Sequence, residues 1–148
     1  MHDDKLYLMA DDDPEDQELF KKAFAAAAIP HRLAFVDDGE ELLDYLLRRG
    51  AYDNGNVGAR PDIILLDLNM PRLDGHGVLR EMKKMPNIAD IPVIVFTTST
   101  AARDVEETYR LGGQSYIEKP FSFNKLVVRL QEIENYWTTT SRVPVPDS

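Results

Sequence analysis

The sequence contains no cysteine, which removes disulfides, thiolate nucleophiles and cysteine-ligated zinc from consideration. No apolar run approaches the roughly 18 residues of a membrane-spanning helix. The first residues, Met1-His2-Asp3-Asp4, are acidic, unlike the basic start of a secretory signal. Positive charge is in short supply: 17 Lys and Arg stand against 26 Asp and Glu, a formal net charge of -9. Non-specific nucleic-acid binding needs a basic face that this balance does not supply. The expectation is a soluble cytoplasmic protein with no direct contact to nucleic acid or membrane. His2, His31 and His76 are too scattered to suggest a metal cluster and read as surface residues.

What remains is one ordinary domain: 148 residues, 43% of them hydrophobic, enough for a core. Short apolar runs alternate with helical patterns. Lys5 to Ala10, Arg32 to Val36, Asp62 to Leu66, Pro92 to Phe96 and Ser115 to Ile117 read as five strands. The run Ile63-Ile64-Leu65-Leu66 is nearly continuous, as in a central parallel strand covered on both faces. Asp13-Pro14-Glu15-Asp16 reads as a helix start: Asp13 the cap, Pro14 the first turn, Glu15 and Asp16 facing the positive end of the dipole. Phe20, Phe24 and Ala27 follow at helical spacing. Asp38-Gly39 opens a second helix with Leu42, Tyr45, Leu46 and Leu47, and Gly50 is expected to close it. A third helix is expected from about Gly77 to Lys84. Val105, Tyr109 and Leu111 predict an amphipathic fourth helix, capped from within Thr97 to Thr100. Leu126, Leu130, Ile133 and Trp137 form an apolar stripe on the last helix. Residues 138–148 read as a flexible tail. Five strands alternating with five helices predict an α/β sandwich with right-handed crossovers.

Acidic and basic residues fall at the C-terminal ends of three of these runs. Leu6 to Ala10 ends at Asp11-Asp12, Ile63 to Leu66 ends at Asp67, and Ile117 leads through Glu118 to Lys119-Pro120. In open parallel sheets the functional crevice lies outside those ends. Carboxylates gathered there suit Mg²⁺, a hard cation that takes oxygen ligands and keeps several waters. An exposed carboxylate can also attack phosphorus, giving an aspartyl-phosphate. A lysine and a hydroxyl nearby would stabilise the phosphoryl charge, and Lys119 and Thr97 end the neighbouring strands. Taken singly, each signal has a plainer reading. Asp runs before helices are usually caps, Asp74-Gly75 is a turn, Lys119-Pro120 is a solvated lysine before a proline, and Thr97 to Thr100 is a polar loop. The coincidence at three strand ends carries the weight.

These segments resemble a known family. Ala10-Asp11-Asp12-Asp13-Pro14, Leu65-Leu66-Asp67-Leu68-Asn69-Met70-Pro71 with Asp74-Gly75, Val95-Phe96-Thr97 and Tyr116-Ile117-Glu118-Lys119-Pro120-Phe121 are similar to the receiver domain of two-component response regulators. The resemblance covers roughly residues 5 to 137, and the domain is taken as 1–137. It implies a flavodoxin-like (βα)5 fold, a doubly wound parallel five-stranded sheet of order 2-1-3-4-5. It implies that Asp67 is the phosphoacceptor. Asp12, Asp67 and the backbone carbonyl of Asn69 would hold Mg²⁺, with Asp11 mainly through water. Lys119 would contact the phosphoryl oxygens, and its bond to Pro120 would be cis. Thr97 and Tyr116 would be the switch, the hydroxyl turning to the phosphate and the ring moving inward. The phosphodonor would be a histidine kinase. Asn69 and Ser99 stand where the family tunes dephosphorylation.

The second helix, the long loop Ala51 to Arg60 and Arg60-Pro61-Asp62 together resemble the small receivers partnered with bacterial phytochrome histidine kinases. The end Asn135-Tyr136-Trp137 offers a homodimer surface, or Trp137 closes the core. With only a short tail beyond, the expected output is protein binding or onward phosphate transfer, not catalysis on another substrate. The competing class is a Mg²⁺-dependent phosphohydrolase working through an aspartyl-phosphate. Such enzymes usually want a second acid two residues past the nucleophile, where this chain has Asn69, and a cap domain. A nucleotide- or flavin-binding module is a third class, but the first strand-to-helix turn is Asp-rich where such modules are Gly-rich.

Overall fold

The computed structural model describes residues 5–53 and 60–136. They divide into two compact units. One comprises the described residues up to Gln17 together with those from His31 to Lys119; the other comprises Glu18–Pro30 and the described residues from Pro120 onward.

The first unit holds the whole sheet: β1 (Leu6–Ala10), β2 (Arg32–Val36), β3 (Ile63–Leu66), β4 (Val93–Thr97) and β5 (Ser115–Glu118). All pairings are parallel and the order is β2-β1-β3-β4-β5. That is the flavodoxin-like order expected from the resemblance. Every residue of β1, β3 and β4 is buried, which is why those runs lack polar alternation. Period two still sorts the side chains. Leu8, Ala10, Ile64, Leu66, Val93 and Val95 join one apolar cluster. They meet α2 (Gly39–Leu47) through Leu42 and Leu43, and α3 (Gly75–Lys83) through Val78, Leu79 and Met82. α4 (Ala102–Arg110) completes this unit's helices.

α1 (Pro14–Ala26) begins in the first unit and runs into the second, which also contains α5 (Phe123–Asn135). Within the second unit Phe20 and Phe24 stack one turn apart, ring centroids 6.5 Å from each other. On α5, Leu126, Leu130 and Ile133 are buried as the stripe predicts. Trp137 and the expected tail 138–148 lie outside the described residues, as do residues 54–59 of the long loop.

Several local expectations are corrected. α2 ends on Arg48, which takes the left-handed conformation at φ 57° and caps the helix through its backbone N–H. Gly50, also left-handed, instead opens a 3₁₀ turn, Gly50–Tyr52. The N-cap of α4 is Ala101, with no side-chain cap. Ser99 is diverted, its hydroxyl donating to Asp104 Oδ2 at 2.6 Å. Leu111 is buried and Val105 half-buried as the apolar spacing predicts, but Tyr109 is 51% exposed and the buried residue within α4 is Thr108. His76 and Thr108 Oγ1 share a hydrogen bond at 3.0 Å. His31 is half-buried, stacked on Tyr7 and accepting from the Lys5 N–H at 3.1 Å. No described peptide bond is cis, so Lys119–Pro120 is trans, the form X–Pro bonds favour by about 0.5–1 kcal/mol.

Candidate functional site

The sheet's hydrogen-bond ladder delivers the site. It continues one residue past three strands: Asp11 N–H donates to Val36 O at 3.2 Å, Asp67 N–H to Ala10 O at 3.1 Å, and Lys119 N–H to Thr97 O at 2.8 Å. Asp11, Asp67 and Lys119 are therefore held in register at one edge, beside Thr97 at the last position of β4. The strand ends singled out by the apolar runs thus lie side by side, one strand spacing apart.

Lys119 Nζ sits among three carboxylates, 2.7 Å from Asp11 Oδ2, 3.0 Å from Asp67 Oδ2 and 3.0 Å from Asp16 Oδ2. Thr97 Oγ1 donates to the other oxygen of Asp67, Oδ1, at 2.9 Å, and the Asn69 N–H donates to the same oxygen at 3.2 Å. The Asp11 carboxylate also accepts from the Asp13 N–H at 2.9 Å, and Gln17 Nε2 donates to the Asp11 carbonyl at 2.6 Å and to Asp37 Oδ1 at 2.9 Å. Burial raises the pKa of Asp11, against the pull of Lys119. For Lys119, burial works against the charge, but the bond to Asp11 and the charges of Asp67 and Asp11 outweigh it and hold the ammonium above its ordinary value.

Asp12 is exposed, while Asp11 and Asp67 are buried. One carboxylate oxygen from each of the three lies within 4.8 Å of the others. Three of the four acids gathered here, Asp11, Asp16 and Asp67, share the single Lys119 ammonium, while Asp12 stands beside Asp11 and Asp67 in the cluster. Two buried carboxylates, Asp11 and Asp67, share one lysine with Asp16, an excess of negative charge that favours a cation, and an all-oxygen donor set suits a hard divalent ion. The residues fit Mg²⁺ or a similar metal.

The loop after β3 is shaped around Asp67. Asp74 caps α3, accepting from the Gly77 N–H at 2.8 Å, so it is a structural turn residue, as its sequence context predicts. Gly75 is required by packing: a Cβ there would lie 2.6 Å from Asp67 O and 2.8 Å from Leu68 Cα. Tyr116, on β5, donates its hydroxyl to Ser99 O at 2.9 Å, which ties it to the segment that follows Thr97. Burial raises its pKa.

Thus Asp11, Asp12, Asp67, Asn69, Thr97 and Lys119 come together, and Tyr116 stands one loop away. Asp13 takes its expected cap role, accepting from the Glu15 N–H at 2.9 Å. Asp16 does not act only at the helix end: it reaches Lys119. Sequence reasoning missed it because Glu15 and Asp16 share one acidic turn, and only the phase of α1 separates the residue that faces the site from its exposed neighbour.

Comparison with known proteins agrees with this geometry. The family described as response regulator receiver domain matches residues 7–131. Response regulator Rcp1 of Synechocystis sp. is 36% identical over 140 residues, covering 95% of this chain and 93% of that protein. The crystal structure of the phosphorylated cyanobacterial phytochrome response regulator RcpA superposes with a TM-score of 0.84 at 37% identity, covering 94% and 97% of the two chains. The Mn²⁺-bound form of Rcp1 superposes with a TM-score of 0.80 at 36% identity, covering 92% and 96%. The phosphohydrolase reading finds no support in these likenesses.

Proposed function

The chain belongs to the response regulator receiver domains, and from that premise we propose that Asp67 is its phosphoacceptor, charged by a histidine kinase. One observation carries this reading: Lys119 and Thr97 bind opposite oxygens of the Asp67 carboxylate, at 3.0 Å and 2.9 Å, within a carboxylate cluster suited to a divalent cation. An ordinary structural aspartate has no need of that surrounding.

A carboxylate oxygen of Asp67 attacks the phosphorus of a phosphohistidine. The new O–P bond forms as the P–N bond breaks, and the electron pair leaves on the imidazole nitrogen. Asp11, Asp12, Asp67 and the Asn69 carbonyl would hold Mg²⁺, which offsets the charge on the phosphoryl oxygens. Lys119 keeps its proton at neutral pH and gives a hydrogen bond to a phosphoryl oxygen. Thr97 exchanges its bond to Asp67 for one to the phosphoryl group. Tyr116 then leaves Ser99 and moves inward, changing the surface beside β5. This is a two-state element biased by a new local charge.

The output is protein binding or onward phosphate transfer, and the only chemistry is the chain's own phosphorylation and dephosphorylation. The proposed domain spans 1–137. Likeness to the phytochrome response regulator RcpA supports a kinase of bacterial phytochrome type, acting in the cytoplasm.

The test is phosphorylation by a small-molecule phosphodonor with and without Mg²⁺, in the native chain and Asp67→Ala. A single base-labile phosphate that needs Mg²⁺ and is lost in the variant supports the assignment. Phosphate retained by Asp67→Ala overturns it.

A further inference from the structure

We propose that Asp16 is the positioning residue for Lys119, holding the ammonium toward Asp67 while the other two carboxylates around it are otherwise engaged. The inference rests on Asp67 being the phosphoacceptor. An ammonium has three N–H donors, and the three carboxylates within 3.0 Å of Nζ account for all of them. Two of those carboxylates have other tasks. Asp67 receives the phosphoryl group, and Asp11 belongs to the carboxylate cluster with Asp12 and Asp67. Asp16 lies outside that cluster. With a cation among Asp11, Asp12 and Asp67, their charge is shared with the metal, whereas Asp16 keeps its hold on Lys119 undivided.

The backbone supports this role. Asp16 sits in the first turn of α1, after the Asp13 cap and Pro14. The next residue, Gln17, clamps the Asp11 carbonyl at 2.6 Å. One helical turn thus fixes both the lysine's anchor and the main chain of the neighbouring acid. The Lys119 side chain is 13% exposed and that of Asp16 42%. The pair stands at the mouth of the site, where a flexible four-carbon stem would otherwise be free to swing out. Because Asp16 is partly solvated, its effect should be moderate.

The plainer alternative is that Asp16 only complements the helix dipole. Glu15 supplies the same charge in the same turn with its side chain exposed, so it is the control. The experiment measures phosphorylation by a small-molecule phosphodonor at saturating Mg²⁺ for the native chain, Asp16→Asn, Asp16→Glu and Glu15→Gln. Calorimetry measures Mg²⁺ affinity, and nitrogen-15 NMR follows the Lys119 ammonium. Asp16→Asn is expected to slow phosphorylation roughly 3- to 10-fold, the scale of one partly exposed charge-assisted hydrogen bond. Mg²⁺ affinity should change by less than about tenfold, since Asp16 lies outside the three-carboxylate cluster. The Lys119 ammonium signal should broaden through faster exchange. Asp16→Glu should restore part of the rate, Glu15→Gln should leave it unchanged, and Asp16→Asn should add nothing in a Lys119→Met background.

An unchanged or faster rate in Asp16→Asn overturns the inference, as does equal slowing by Glu15→Gln. A tenfold or greater loss of Mg²⁺ affinity would make Asp16 a metal ligand and also overturns it. If the native chain itself takes no phosphate, the functional reading fails and carries this inference with it. Native phosphorylation matched by Asp16→Asn sinks the inference alone.

Discussion

Thr97 donates its hydroxyl to Asp67 Oδ1 across 2.9 Å, joining the ends of β4 and β3 through two fully or nearly buried side chains. The bond satisfies a hydroxyl that has no exposure to water and fixes the rotamer of the proposed phosphoacceptor. Thr97→Ala should cost about 1 kcal/mol of stability, the typical net worth of one such bond. Phosphorylation should persist, while the response to it at Tyr116 is lost. Urea unfolding checks the first expectation, and Tyr116 ring resonances with and without a phosphoryl mimic check the second.

Divalent affinity should fall with acid sooner than an ordinary carboxylate site would. Burial raises the Asp11 pKa above 3.8, so its proton competes with the metal at higher pH. Because burial outweighs the Lys119 ion pair, the sign for metal-free stability is opposite to that of an aspartate whose pKa is lowered by its partner. Between 3.8 and the raised value the folded state binds more protons than the unfolded, so Asp11 contributes stability that is present below 3.8 and lost as pH rises through the raised value. Mg²⁺ titrations at descending pH, native against Asp11→Asn, test this. An affinity that holds level down to pH 4 would refute it.

Gly75→Ala should destabilise the fold by about 1–3 kcal/mol, the usual cost of overpacking. The added Cβ meets backbone, Asp67 O at 2.6 Å and Leu68 Cα at 2.8 Å, so no side-chain rotation relieves it. The displacement would act on the phosphoacceptor's own main chain. Thermal unfolding reads the loss, and the phosphorylation rate should fall with it. A variant as stable as the native chain would contradict the packing account.

Phosphorylation should change self-association or kinase affinity. Tyr109 on α4 is 51% exposed, and Tyr136, just past α5, is 43% exposed; exposed tyrosines suit interfaces that form and release. Light scattering with and without a phosphoryl mimic measures the first, and kinase titration the second. Equal values in both states for both quantities would count against a switch.

The sequence by itself determined the five strands and the positions of Asp11, Asp12, Asp67 and Lys119 at their ends. It could do so because central parallel strands are continuous apolar runs, and the first polar residue after each run is at the edge wherever the strand sits in the sheet. Gly39 and Asp38 likewise marked α2, since Asp38 caps it, accepting from the Glu41 N–H at 2.8 Å. Tertiary structure alone decided the rest. Which of two adjacent acids, Glu15 or Asp16, meets Lys119 depends on helix phase and on a partner 103 residues away. That Thr108 faces inward and Tyr109 outward goes with a hydrogen bond between Thr108 and His76, 32 residues earlier. Such pairings cost chain entropy and are repaid only when the sheet brings distant strand ends together, so no local pattern announces them.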